Sequence, residues 1–213
     1  MADMEGVFIT FEGGEGVGKT TQVELAAARL RELGHDVHVY REPGGTDLGD
    51  SIRRLLLDPE IQHPFPLAEL LLYEASRAQL VEREILPRLR SGAAVICDRF
   101  TDSTMAYQGY GRGLDLELVR TLNEHASCGL VPHLTILLDA DVDLMMQRAT
   151  LFGADRLELE LDEFHQAVRE GFLRIAAEEP ERVKVVPADG SRGVVAARVW
   201  EHIEDLLVRM GVA

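Results

Sequence analysis

The stretch Phe8-Ile-Thr-Phe-Glu-Gly-Gly-Glu-Gly-Val-Gly-Lys-Thr-Thr-Gln22 decides the fold. Within it, Gly13-x-x-x-x-Gly18-Lys19-Thr20 fits the phosphate-binding loop pattern in full. The apolar, β-branched run before it, residues 7–11, reads as a buried strand. After Thr20, the residues Val23, Ala26, Ala27, Leu30 and Leu33 recur at helical spacing, and Gly34 is placed to end that helix. Strand, glycine loop and helix are what an anion needs. Glycines let successive backbone N–H groups turn inward toward phosphate oxygens. The helix adds its positive N-terminal end. Gly13, Gly14, Glu15, Gly16, Val17 and Gly18 form this loop, Lys19 supplies a charge for the β- and γ-phosphates, and Thr20 a hydroxyl for Mg²⁺. Thr21, next to it, is also expected at the bound triphosphate. The stretch implies a bound nucleoside triphosphate.

Composition narrows the partners. A chain of 213 residues suits one α/β domain, and 46% hydrophobic residues suffice for a sizeable core. The net charge of −15 argues against nucleic acid and against an anionic membrane surface, since both select for Lys and Arg patches. No apolar run approaches a membrane span, and the acidic start, residues 1–6, has no secretory h-region. Cys97 and Cys128 are the only cysteines and suggest no disulfide framework, so a cytoplasmic protein is expected.

Downstream, residues 37–40 read as a second strand, running into Arg41-Glu-Pro-Gly-Gly-Thr46. Turns at the ends of strands are where open α/β sheets bind ligands. A helix over 48–57 carries Arg53 and Arg54, and a long one is expected over 67–86. There Tyr73 and Arg77 share a face at four-residue spacing. That pair could sandwich a base and hydrogen-bond its edge, although spacing alone favours a core tyrosine beside a solvated arginine. Residues 93–98 form a buried strand ending in Asp98-Arg99, where Asp98 reads as a magnesium ligand in preference to a helix N-cap. Arg99 would face the same crevice, where a substrate phosphate could sit. Helices follow over 101–110 and 116–126, a strand over 134–139, and a helix over 142–149 whose Met145 and Met146 read as core. The acidic run Glu158, Glu160, Asp162, Glu163 reads as a solvated face. A helix over 162–178, a strand over 183–187 and an amphipathic helix over 194–210 close the chain. Five strands alternating with helices imply a parallel sheet covered on both faces.

Six segments together resemble the thymidylate kinases: 11–21, 41–46, 73–79, 98–103, 106–109 and 155–158. Their order and spacing carry the resemblance nearly end to end. It implies the P-loop nucleoside monophosphate kinase fold over residues 1–213, with a lid at about 148–160 and a homodimer. It also implies transfer of the γ-phosphoryl group of ATP to dTMP, with Mg²⁺ on Thr20 and Asp98, on the path to dTTP. By position, Glu15 would bind the sugar 3′-hydroxyl, Tyr73 would stack on thymine, Arg77 would bond the base and Arg99 would hold the acceptor phosphate. Ser103, Tyr107 and Gln108 would line the base and deoxyribose pocket. Arg53 would touch the acceptor side, and Asp189 would lie near the adenine. Gly16 stands where one branch of the family carries a catalytic arginine, so the resemblance implies the other layout, in which the lid arginines Arg156 and Arg148 would take that role. A P-loop GTPase is disfavoured, because no Asn-Lys-x-Asp occurs.

Overall fold

The computed structural model describes residues 5–58, 60–61, 64–142, 145, 157 and 160–212. Five strands, β1 (Val7–Glu12), β2 (Val37–Arg41), β3 (Ala94–Asp98), β4 (Leu134–Asp139) and β5 (Val183–Pro187), form one sheet in the order β2-β3-β1-β4-β5. All four pairings are parallel. Every residue of β1 and β3 is buried, as expected for central strands covered on both faces.

Strand alternation sends Val7, Ile9 and Phe11 to one face and Phe8 to the other. The first face is covered by α1 (Lys19–Glu32) and the C-terminal helix α8 (Arg192–Met210), whose Val199, Trp200 and Ile203 pack with Ala26, Ala27 and Leu30. Leu30 is fully buried there; truncating such a leucine to alanine costs about 2–5 kcal/mol. The other face is covered by α3 (Pro66–Leu80), α4 (Leu86–Arg90), α5 (Thr101–Thr104), α6 (Leu116–Ala126) and α7 (Asp162–Glu178), and α2 (Asp47–Leu57) packs on α3.

The helix expected over 67–86 is longer and not uniform. A π-helical turn, Val81–Ile85, joins α3 to α4, and the rod continues to Arg90. Pro87 has no N–H and would interrupt a regular α ladder. The wider turn before it absorbs that break. A second π-helical turn, Met105–Gly111, continues α5 and carries Tyr107 and Gln108. Such turns concentrate at functional sites.

Glu160 departs from the solvated face expected of it. It pairs with Arg112 at 2.7 Å, and Arg112 also reaches the fully buried Glu69. Met145 is core, as expected. Met146, Glu158, and Arg148 and Arg156 within residues 146–156, where most of the lid expected at about 148–160 falls, lie outside the described residues.

Topology places the site. Phe11 and Arg41 both pair in register with Asp98, so the loops after β1, β2 and β3 emerge side by side at the carboxyl edge. The chain leaves β1 toward β2 on one side, while β4 lies on the other. A crevice at such a switch point is where open α/β sheets take their ligands.

Candidate active site

The phosphate loop is held by backbone constraints that only glycine meets. Gly13 has φ +136°, and a Cβ there would lie 2.4 Å from the Leu138 carbonyl oxygen. Gly18, at φ +97°, starts α1 in a left-handed conformation. Val17 is buried beneath the loop in the main core. Lys19 Nζ lies over the loop and donates to the carbonyls of Gly13 (3.1 Å) and Gly14 (2.7 Å). Burial and the nearby Arg99 push the Lys19 ammonium down to about 8, against the pull of Glu15, Asp98 and Glu12, so it is charged at neutral pH.

Thr20 Oγ1 donates to Asp98 Oδ2 at 2.9 Å. Asp98 caps no helix: α5 has Phe100 at its N-cap and no side-chain cap there. A hydroxyl and a carboxylate oxygen side by side at a phosphate loop are hard donors of the kind Mg²⁺ takes alongside nucleotide phosphates. Among the described residues, no cluster of three His, Cys, Asp or Glu side chains could hold a metal by itself.

Arg99 sits at φ +72°, an uncommon conformation for a residue with a side chain. That turn aims its guanidinium back over the sheet edge. It donates to Gly13 O and Ser103 Oγ (both 3.0 Å), Glu15 Oε1 (2.6 Å) and the Tyr107 hydroxyl (3.1 Å). Tyr107 in turn donates to Glu15 at 3.0 Å. Burial alone would raise Glu15. Arg99, Lys19 and the Tyr107 hydroxyl outweigh it and hold the carboxylate at about 2. Glu15 is therefore an ionised, acceptor-only group.

Two clefts meet at these residues. The first, about 500 Å³ of empty space, is lined by Glu15, Arg53, Tyr73, Arg77, Arg99, Ser103, Tyr107 and Gln108, together with Glu42, Pro43, Phe100 and Leu57. All eight side chains expected at the acceptor nucleotide are thus brought together. The second, about 690 Å³, is lined by Glu15, Gly16, Gly18, Lys19, Thr20 and Thr21, with Arg41, Arg53, Asp98 and Arg99. The clefts share Glu15, Glu42, Arg53 and Arg99. Lys19, Arg41, Arg53 and Arg99 put four cations on the second cleft of an otherwise acidic chain, which favours anionic ligands there. Asp189 stands apart on the loop after β5, its side chain 75% exposed and bound to Arg198. The start of α8 that follows it is tied to α1, where Gln22 Nε2 donates to Arg192 O at 3.2 Å.

Arg77 is not solvated, contrary to what its spacing favours. It is 1% exposed and hydrogen-bonds Glu42, Glu74 and Asn123. Spacing along one helix carries no information on partners from the loop after β2 and from α6.

Sequence reasoning assigned no role to Glu12, which is 0% exposed. Its Oε1 accepts the Phe100 N–H (2.7 Å) and its Oε2 the Ser103 hydroxyl (2.5 Å), so it clamps the Arg99 turn to the end of β1. Burial first, and Asp102 second, raise its carboxyl to about 8 against the opposing pull of Ser103, Arg99 and Phe100. Glu42 is likewise raised by burial, to about 7. The signal available in the sequence was a lone charge closing an apolar strand.

A phosphate loop at the switch point of a five-stranded parallel sheet, opening into a second, base-sized cleft, defines a P-loop protein of the nucleoside monophosphate kinase fold. Residues 11–199 match the family described as thymidylate kinase. A thymidylate kinase of Synechococcus sp. (strain JA-2-3B'a(2-13)) is 54% identical over 202 residues, covering 94% of this chain and 96% of that protein. One from Deinococcus radiodurans is 49% identical over 202 residues, covering 94% and 98%. The crystal structure of thymidylate kinase from Ehrlichia chaffeensis superposes with a TM-score of 0.77 at 37% identity, covering 93% of this chain and 98% of that one. The chain belongs to the thymidylate kinase family.

Proposed function

We propose that this protein transfers the γ-phosphoryl group of ATP to the phosphate of dTMP, giving dTDP and ADP for dTTP synthesis. The observation that carries this reading is the junction of the two clefts at Arg99 and Glu15. A donor on the phosphate loop and an acceptor in the first cleft would meet there in line. The bond from the γ-phosphorus to the bridging oxygen of ADP breaks as one forms to an oxygen of the dTMP phosphate. That acceptor oxygen is already largely ionised at neutral pH, so no general base is required. What the site must supply is alignment and charge neutralisation.

In this reading Lys19 and the loop N–H groups hold the donor phosphates. Arg99 and Arg53 orient the acceptor phosphate. Ionised Glu15 accepts from the sugar 3′-hydroxyl. Tyr73 stacks on the base, Arg77 donates to its edge, and Ser103, Tyr107 and Gln108 complete the pocket. Asp189 lies beside the adenine. Thr20 and Asp98 would hold Mg²⁺, which when bound neutralises charge on the transferring phosphates. Arg156, supported by Arg148, serves the transition state from a lid at about 148–160 of a single domain spanning 1–213. The chain works in the cytoplasm as a homodimer. The exposed side chains of Leu48, Leu55, Phe65, Leu67 and Leu71, on and beside α2 and α3, supply an apolar surface for that contact. No helix among the described residues is long and apolar enough to cross a membrane.

The test is ADP release with ATP, Mg²⁺ and a panel of monophosphates. We expect dTMP to be the best acceptor, dUMP weaker by the ~1–3 kcal/mol of one methyl group, and purine monophosphates near background. Equal or faster turnover of dCMP, AMP or GMP contradicts the reading.

A further inference from the structure

Glu12 and Ser103 meet behind the wall of the first cleft. Glu12 is 0% exposed at the end of β1, whereas Ser103 lines the cleft. Glu12 Oε2 and Ser103 Oγ are 2.5 Å apart, with one hydrogen between them. Which oxygen owns that hydrogen decides what Ser103 offers a ligand. A serine hydroxyl has one hydrogen and two lone pairs. One lone pair accepts from Arg99 Nη1 at 3.0 Å. With Glu12 ionised, the serine hydrogen is spent on the carboxylate, and only a lone pair is left for the cleft. With Glu12 protonated, its Oε2–H donates to the second lone pair, and the serine hydrogen is left for the cleft. The grip of the Phe100 N–H on Oε1 leaves Oε2 as the oxygen to carry the proton.

The surroundings favour the protonated state. An enclosed carboxylate needs a counter-ion to stay charged. Among the described residues, no ion pair reaches Glu12, and the cations around it are committed elsewhere. Arg99 pairs with Glu15, Arg77 with Glu42 and Glu74, and Lys19 bonds the carbonyls of Gly13 and Gly14. On α5, Asp102 is a second acid, itself gripped by Arg182 at 2.7 and 2.9 Å. On β3, Cys97 is a thiol that burial keeps from ionising. Burial, with Asp102 second, raises the Glu12 carboxyl to about 8.

We propose that Glu12 is a positioning residue that sets the direction of the Ser103 hydroxyl, turning its hydrogen into the first cleft to donate to an oxygen of the acceptor nucleotide. The inference rests on the proposed acceptor role of that cleft. Loss of the Glu12 proton reverses the hydroxyl. Ser103 then presents a lone pair to an anionic ligand, and one hydrogen bond turns into a repulsion. Acceptor binding should therefore weaken as pH rises through about 8, while the donor site keeps its contacts.

The bland alternative is that Glu12 only clamps the Arg99 turn. The alternatives differ for Glu12→Gln. Its amide oxygen can accept the Phe100 N–H, and its amide nitrogen then donates to Ser103 Oγ at every pH. The glutamine fixes the protonated arrangement and cannot reverse it.

The experiment measures KM for dTMP from pH 7 to 9 in both proteins, with KM for ATP in parallel and circular dichroism to confirm folding. The second ionisation of the dTMP phosphate is common to both and cancels. For a carboxyl at about 8, the wild-type KM for dTMP should rise about fourfold by pH 8.5 and about tenfold by pH 9 relative to Glu12→Gln. The ratio of the two KM values for ATP should stay constant. Ser103→Ala should have a raised KM for dTMP already at pH 7 and should lose the alkaline rise. Parallel pH profiles for dTMP in wild type and Glu12→Gln overturn the inference, and so does a Ser103→Ala protein that keeps the wild-type rise. Should Glu12→Gln not fold, the profile of Ser103→Ala against wild type decides by the same criterion. A wild-type protein that does not turn over dTMP sinks the proposed function itself. Normal turnover with parallel profiles sinks only this inference.

Discussion

Replacing Glu12 by glutamine should flatten the pH dependence of stability. Glu12 is fully enclosed at the end of β1, and burial followed by the charge of Asp102 raises its carboxyl from an ordinary 4.5 to about 8. The sign follows from which state loses its proton first. In the unfolded chain the carboxyl ionises near 4.5. In the folded protein it stays protonated until about pH 8. The protonated group's contribution is therefore fully present below 4.5 and is lost progressively as pH rises to about 8. At ~1.4 kcal/mol per pH unit, the loss across that window is on the order of 5 kcal/mol. Glutamine cannot ionise, and it keeps an acceptor for the Phe100 N–H and a partner for the Ser103 hydroxyl. Urea denaturation of both proteins at intervals from pH 5 to 9 measures the difference. Glu12→Gln should gain on the wild type steadily up to about pH 8, by several kcal/mol in all, and then level off. A stability difference that is flat across the range refutes the assignment of a buried, protonated carboxyl.

Three further outcomes are expected. Lys19→Ala should lower turnover by about 10²-fold or more while leaving the fold intact by circular dichroism, because a preorganised charge at the phosphates is removed. Gly13→Ala should fail to bind ATP and lose thermal stability, since the new Cβ meets the Leu138 carbonyl oxygen at 2.4 Å from a backbone at φ +136°; wild-type ATP affinity in a calorimetric titration would contradict this. Arg156→Ala should lower kcat by about 10³-fold with little change in dTMP binding, and Arg148→Ala should do less. A larger loss for Arg148→Ala reverses the assignment, and small losses for both remove the lid arginines from the mechanism.

Much of the architecture was legible because it is local. The strands over 134–139 and 183–187 and the helices over 116–126 and 162–178 fall where apolar runs and periodicity put them. The phosphate loop was legible because its glycines answer a backbone demand that no other residue meets. The π-helical turns were not, since a single shifted hydrogen bond leaves the apolar pattern nearly unchanged. Arg77 and Glu12 mark the limit more clearly. Their states depend on partners 35–91 residues away, Glu42 and Asn123 for one and Phe100 and Ser103 for the other. Spacing along one helix or strand carries none of that. Tyr73 and Arg77 share a cleft wall as their four-residue separation allows, yet the side of Arg77 that faces the protein is a buried ion-pair network and not solvent.

The central claim is that the two clefts serve one transfer, from a triphosphate on the phosphate loop to a thymidine monophosphate beside Arg99. Counting dTDP formed against ADP released in the same reaction, by ion-exchange separation of the nucleotides, tests it most directly. The account predicts equal amounts of dTDP and ADP, and no ADP above background when dTMP is omitted. ADP released without matching dTDP, or at the same rate in the absence of dTMP, would contradict it.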